Sequence, residues 1–279
     1  VATERGPRIA VVAPSNRVDP TLPERLAALL DRLPAAGRPT LWFHPQCFEA
    51  CGHFAGPDAA RAQAFVEVAN DPGFDAVWFG RGGYGSFRLV EAVLPGLGAA
   101  ARTKTYLGYS DGGALLAALY RAGIGRVAHG PMPADFARPG GAAAVRRGLA
   151  FLCGESGPGI LEPGLVPGRK AAAFNLTILA HLIGTPALPD LAGHVLLLEE
   201  VSEPHYRIDR CFGQVVSAPE LRGVAGIRLG RCSAIPPNDP AFGLEEEAIA
   251  RFWCGRAGIP YLGRADIGHD ADNKVVPFG

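Results

Sequence analysis

Short apolar runs that end in glycine, proline or serine and then hand over to helix-periodic stretches fill the first half of the chain. This rhythm constrains the fold more than any other feature. Arg8 to Ala13 is an apolar run ended by Pro14-Ser15-Asn16, and an amphipathic helix is expected over Pro20 to Leu33, closed by Pro34. Thr40 to Phe43 and Asp75 to Phe79 supply further strands, with helical periodicity over Pro57 to Asn70 between them. Thr105 to Gly108 and Arg126 to His129 continue the series, separated by a helical pattern over Ala114 to Arg121. Strands joined through helices pair in parallel, because each connection has to cross back over the sheet. The expected class is α/β with a parallel sheet.

Open α/β sheets place their sites along the carboxyl ends of the strands, and two loops there carry suggestive chemistry. Gly80-Arg81-Gly82-Gly83-Tyr84-Gly85-Ser86 follows a strand and precedes a helix, which suits a loop whose backbone N–H groups meet an anion. It is neither a dinucleotide fingerprint, since the first strand ends in Ala13-Pro14-Ser15, nor a Walker loop, since no Lys-Ser or Lys-Thr closes it. One strand later, Gly108, Ser110 and Gly112 match the alternate spacing of a nucleophile elbow. An ordinary helix cap accounts equally well for Ser110-Asp111 taken alone.

Ala137 to Leu149 is an Ala-, Gly- and Arg-rich stretch expected to be partly helical, Phe151 to Pro167 is rich in Gly, Pro and Glu, and the rhythm weakens there. The expected organisation is an N-terminal domain over 1–145, a linker over 146–164 and a C-terminal domain over 165–279. In that second domain Ala172 to Leu179 reads as a helix opening near Asn175. His194 to Glu199 is an apolar strand ending in Glu199-Glu200, and the tail after Ile267 turns from polar to strand-like.

Lys plus Arg number 27 and Asp plus Glu 27 in 279 residues, so no basic excess supports nucleic-acid binding. No stretch of 18 apolar residues supports a membrane span, and the opening Val1 to Gly6 leads into a strand rather than a signal-peptide core. Six scattered cysteines read as reduced thiols of a cytoplasmic protein. Cys47, Glu49, Cys51 and His53, with His44, lack the paired Cys-x2-Cys spacing of a zinc site, so no metal is expected.

A serine nucleophile needs an imidazole base and a carboxylate to orient it. His269 follows a glycine in a late loop, with His129 and His181 as alternative bases, and Glu199 ends an apolar strand. Spacing alone does not pair them.

Several motifs run in one order over nearly the whole chain. They are Val12-Ala13-Pro14-Ser15, Phe54-Ala55-Gly56 with Arg61, Arg81-Gly82-Gly83-Tyr84-Gly85, Gly108-Tyr109-Ser110-Asp111, His129-Gly130-Pro131-Met132, Asn175-Leu176, Leu198-Glu199, and Gly268-His269 with Pro277 and Gly279. In these the chain resembles the LD-carboxypeptidases, which include the muramoyl-tetrapeptide carboxypeptidases and the microcin C immunity hydrolases.

The resemblance implies a Rossmann-like N-terminal parallel-sheet domain and a smaller mixed α/β C-terminal domain, commonly in a homodimer. It implies Ser110 as nucleophile, His269 as base and Glu199 as orienting acid, with Glu200 and Glu203 close by in sequence. The backbone N–H groups of Gly83 and Asp111 would form the oxyanion hole, and no metal or organic cofactor is implied. The implied substrate is a small peptide, murein tetrapeptide, cut between the L-centre of its diamino acid and terminal D-alanine. An aminoacyl-nucleotide-like toxin is the alternative substrate, and a non-catalytic peptide- or anion-binding module the alternative function. Arg81, Arg88 and Arg207 are candidates to clamp a substrate carboxylate. Gly112-Gly113 departs from the family, which more often carries an apolar or β-branched residue followed by Thr at these positions.

Overall fold

The computed structural model describes residues 6–35 and 37–279; the opening segment read above for a signal peptide lies, up to residue 5, outside the described residues. The first unit runs β1 (Arg8–Val12), α1 (Leu22–Leu30), β2 (Thr40–Phe43), α2 (Asp58–Asn70), β3 (Ala76–Phe79), the single turn α3 (Val90–Val93), β4 (Thr105–Gly108), α4 (Gly113–Arg121), β5 (Arg126–His129) and α5 (Gly141–Leu152). Strands β5, β4, β3, β1 and β2 lie side by side in that order, each neighbouring pair parallel. Strand order therefore reverses between β1 and β3, which opens a crevice at the carboxyl ends. Helices cover both faces, so β3, Ala-Val-Trp-Phe, is buried at all four positions. Trp78 meets its one polar need by donating Nε1–H to the Pro131 carbonyl at 2.7 Å.

Helix α5 runs across residue 146, where the linker was expected to begin, because Val145, Leu149 and Leu152 are buried in the same core cluster as Trp78 and Leu107. Its Ala- and Arg-rich sequence hides this apolar stripe.

The second unit comprises β6 (Ala171–Asn175), α6 (Leu176–Leu182), β7 (Val195–Val201), α7 (His205–Ser217), β8 (Gly226–Ser233), α8 (Glu246–Ala257) and β9 (Tyr261–Arg264). Its four strands form a separate parallel sheet in sequence order. The helix opens at Asn175 as expected, its Oδ1 accepting the Ile178 N–H at 3.1 Å, and Ala171 to Asn175 ahead of it form β6. The tail then returns as β10 (Val276–Pro277), antiparallel to β5 with Val276 opposite His129, and so adds a sixth strand to the first sheet. One apolar cluster spans both units: α4 is buried from Gly113 to Leu119, packed with Phe174, Leu176 and Leu179. That shared core fixes the carboxyl end of β4 against the carboxyl end of β7. Among the described residues no helix is long and apolar enough to cross a membrane.

Candidate active site

β4 ends at Gly108, Tyr109 is extended, and Ser110 takes φ 58° before a short 3-10 turn leads into α4. A left-handed serine is costly for the backbone, and such strain persists where the surrounding structure holds it, commonly at functional sites. The tight bend presents the hydroxyl above the sheet edge. Gly82 permits this approach, since a Cβ there would lie 3.0 Å from Ser110 Oγ. Gly83, at φ 121°, has the Asn16 amide where a Cβ would stand.

The second unit brings two groups to that hydroxyl. His269, in the loop between β9 and β10, places Nε2 3.0 Å from Ser110 Oγ and Nδ1 2.5 Å from Glu199 Oε2. Glu199 is fully buried on β7, where the pairing with β8 shifts register between Leu198 and Glu200. Such an irregularity re-aims a side chain. Glu199 thus turns to the histidine while Glu200 turns to α6, accepting from Asn175 Nδ2 at 2.6 Å, Thr177 N at 2.9 Å and Thr177 Oγ1 at 2.7 Å. Glu203 is paired with Arg207 at 2.9 Å. Of the three neighbouring glutamates, Glu199 is the one bonded to His269.

Burial works against charge on the His269 imidazole, but the carboxylate of Glu199 outweighs it and raises the pKa above the usual histidine value. The Tyr109 ring packs 4.9 Å from the imidazole. Arg231 clasps Asp266 and Asp270 on either side of the histidine, and Arg147 donates to the carbonyls of Ala271 and Asn273, both at 2.9 Å. Neither alternative base is bonded to Ser110: His129, buried behind Tyr109, bonds Asn273 Oδ1 at 3.1 Å, and His181 is exposed on α6.

A cavity of about 610 Å³ opens over Ser110 and His269, and Gly82, Gly83, Arg81 and Arg138 contribute to its wall. Arg81 is thus at the site. The other two arginines expected there are not: Arg88 is paired with Asp58 and stacked on Phe54, and Arg207 is held by Glu203. The Cys47 stretch does not converge on a metal site. Cys47 is buried with Sγ against the Val11 carbonyl, Cys51 is exposed, and His44 meets Glu67.

The sequence matches the LD-carboxypeptidase N-terminal domain over residues 9–130 and the LD-carboxypeptidase C-terminal domain over residues 171–279. It is 30% identical over 243 residues to the murein tetrapeptide carboxypeptidase of Pseudomonas aeruginosa, covering 81% of this chain and 78% of that relative. The chain belongs to the LD-carboxypeptidase family. The solved structure of muramoyltetrapeptide carboxypeptidase from Oxalobacter formigenes matches with a TM-score of 0.79 at 27% identity, over 97% of this chain and 93% of that one. The microcin C7 self immunity protein MccF in complex with aspartyl sulfamoyl adenosine shares the fold, with a TM-score of 0.79 at 20% identity over 99% and 92% of the two chains. As a family member the protein is a serine-type hydrolase, and the reading as a non-catalytic binding module falls away.

Some residues that organise the site of this LD-carboxypeptidase have roles that the sequence pattern does not assign. Arg61 is buried and donates to the Pro14 carbonyl and to the Gly85 carbonyl at 3.0 Å, tying the loop after β1 to the glycine loop. Asp135 is buried beside the cavity, accepting from Tyr109 Oη at 2.7 Å and Met132 N at 2.8 Å. Burial raises its pKa although those donors and Arg138 pull it down. Only three-dimensional adjacency reveals either role.

Proposed function

We propose that the protein is a peptidase that removes terminal D-alanine from murein tetrapeptide, with Ser110 as nucleophile, His269 as base and Glu199 as the acid that orients it. One observation carries this reading: the unbroken chain Ser110 Oγ, His269, Glu199, at 3.0 Å and 2.5 Å. The lengths suit proton transfer out of the hydroxyl. The name of the Pseudomonas aeruginosa relative and the likeness to the Oxalobacter formigenes enzyme support the substrate.

In this mechanism Ser110 Oγ attacks the carbonyl carbon of the L-configured diamino acid residue while its proton passes to His269 Nε2. Negative charge builds on the carbonyl oxygen, and the N–H groups of Gly83 and Asp111 receive it. Each such donor is worth about 3–4 kcal/mol in the transition state. His269 then gives its proton to the departing amine of D-alanine, and the C–N bond breaks. Water, deprotonated by the same imidazole, releases the acyl group from Ser110. The N-terminal unit thus supplies nucleophile and oxyanion donors, the C-terminal unit acid and base. The reading also has the protein acting in the cytoplasm as a homodimer, for which light scattering on the purified chain is the direct measurement.

The test is release of D-alanine from L,D-tetrapeptide by the wild type and by Ser110→Ala, with aspartyl sulfamoyl adenosine assayed in parallel. The fold likeness to MccF makes that compound the appropriate rival substrate. Ser110-dependent D-alanine release is expected. Turnover of the sulfamoyl compound alone would replace the murein reading with the aminoacyl-nucleotide one.

A further inference from the structure

We propose that Arg138 recognises the free carboxylate of the amino acid that departs from the acyl-enzyme; this rests on the carboxypeptidase reading above. Arg138 lies on the wall of the cavity that holds Ser110 and His269. Its guanidinium is fixed at two points. Nε donates to Asp135 Oδ1 at 2.9 Å, and Nη1 donates to the backbone carbonyl of His269 itself. Asp135 is buried and immobilised in turn by Tyr109 and Met132. Among the described residues, Nη2 has no protein acceptor, so its two N–H donors remain for a ligand, and 40% of the side chain stays exposed.

Covalent geometry puts the substrate carboxylate on this side of the site. The departing nitrogen has to receive its proton from His269, and the carboxylate carbon is two bonds further on, about 2.5 Å from that nitrogen. A cation that is to meet a terminal carboxylate therefore has to stand close to the histidine. Arg138 is the cavity arginine bonded to the histidine's own backbone. Arg25, also on the wall, lies over the Phe136 ring at 4.9 Å, and Arg81 is exposed with no protein partner among the described residues. A guanidinium already oriented by a buried carboxylate loses little freedom on binding an anion, which favours it over a loose surface arginine.

The experiment compares two peptides that differ only in the departing residue: L,D-tetrapeptide ending in free D-alanine and the same peptide ending in D-alaninamide. With wild type, Arg138→Gln and Arg138→Lys, kcat/KM is measured for both. The wild type is expected to prefer the free acid. Arg138→Gln is expected to lower kcat/KM for the acid by about 10- to 100-fold while the amide changes by less than about threefold, collapsing the preference. Arg138→Lys is expected to restore part of it. Equal losses on acid and amide would mean that Arg138 merely supports the His269 loop, and an unchanged acid preference would mean that another group reads the carboxylate; either overturns the proposal. A wild type that cleaves neither peptide would overturn the carboxypeptidase reading and this proposal with it, an outcome separate from a variant defect in an active enzyme.

Discussion

Asp111 and Ser86 are bonded to each other twice: the Ser86 N–H donates to Asp111 Oδ2 at 2.8 Å, and Ser86 Oγ donates to the Asp111 carbonyl at 2.5 Å. Ser15 Oγ adds a third bond to the same Oδ2 at 2.5 Å. One buried carboxylate thereby stitches together the loops after β1, β3 and β4, the last two carrying the proposed oxyanion donors.

Removal of that carboxylate leaves the Ser86 N–H and the Ser15 hydroxyl buried without their acceptor. Asp111→Ala is expected to destabilise the fold by about 3 kcal/mol or more, since each bond to a charged acceptor is worth about 1.5–3 kcal/mol. Ser86→Ala keeps the N–H bond and loses only the hydroxyl bond, about 1 kcal/mol. Urea unfolding gives the stability difference. Steady-state kinetics should show kcat falling more than KM rises, because the stitch sets the spacing of transition-state donors rather than a ground-state contact.

The His269 pair has a pH signature. A protonated imidazole cannot take the Ser110 proton, so kcat/KM should fall as pH drops through the His269 pKa. Despite burial, Glu199 holds that pKa above the usual value near 6.5. The acid limb therefore belongs above the pH an ordinary histidine would give. Glu199→Gln keeps an acceptor but removes the charge, so the limb should move to lower pH while the plateau drops by about 10³- to 10⁴-fold. A pH–rate profile of both proteins checks the two effects together, and an unmoved limb would assign it to a different group.

The features legible in the sequence are those with a local cause. Apolar runs ending in turn residues located β1 to β5, and glycine spacing marked the bend at Ser110. The partnership of Glu199 with His269 spans 70 residues and that of His269 with Ser110 spans 159, so no local pattern encodes either. Family motifs named those residues; the irregularity in β7 and the shared core behind α4 explain how they meet. Arg88 and Arg207 looked suitable as clamps because composition cannot show that Asp58 and Glu203 already hold them. Arg138 carries no local signal, because one of the two groups that orient it, the His269 carbonyl, reaches it only when the second unit packs against the first.

Gly112 and Gly113, directly behind Ser110, occupy two different environments. A Cβ at residue 112 would lie 2.7 Å from Phe79 Cδ2, so the ring fills the space a side chain would need. At residue 113 the nearest atoms would be Ile178 Cγ2 at 3.6 Å and Phe174 Cδ1 at 3.8 Å, ordinary contact, and φ is −55°. Gly112→Ala is expected to cost about 1–3 kcal/mol through overpacking. Gly113→Ala is expected to gain about 0.5–1 kcal/mol, by lowering the entropy of the unfolded chain and improving helix propensity. Chemical denaturation of the two variants should give shifts of opposite sign.

Acid sensitivity should arise in part from His129. Burial lowers its pKa to about 4, against the upward pull of Glu199 and of the bond to Asn273. The folded value lies below the unfolded value near 6.5, so the unfolded chain binds the proton more readily. The contribution of His129 to stability is complete above about pH 6.5 and is lost as pH falls toward 4, on the order of 3 kcal/mol in total. His269 acts in the opposite sense: its raised pKa adds stability at low pH that disappears as pH climbs through the folded value. The comparison therefore has to be a difference between proteins. His129→Gln retains an amide donor for Asn273 and does not titrate, so the unfolding free energy of wild type minus variant should decline between about pH 6.5 and about pH 4 and stay level above that window. A level difference throughout would show that His129 is protonated as easily in the fold as in the open chain.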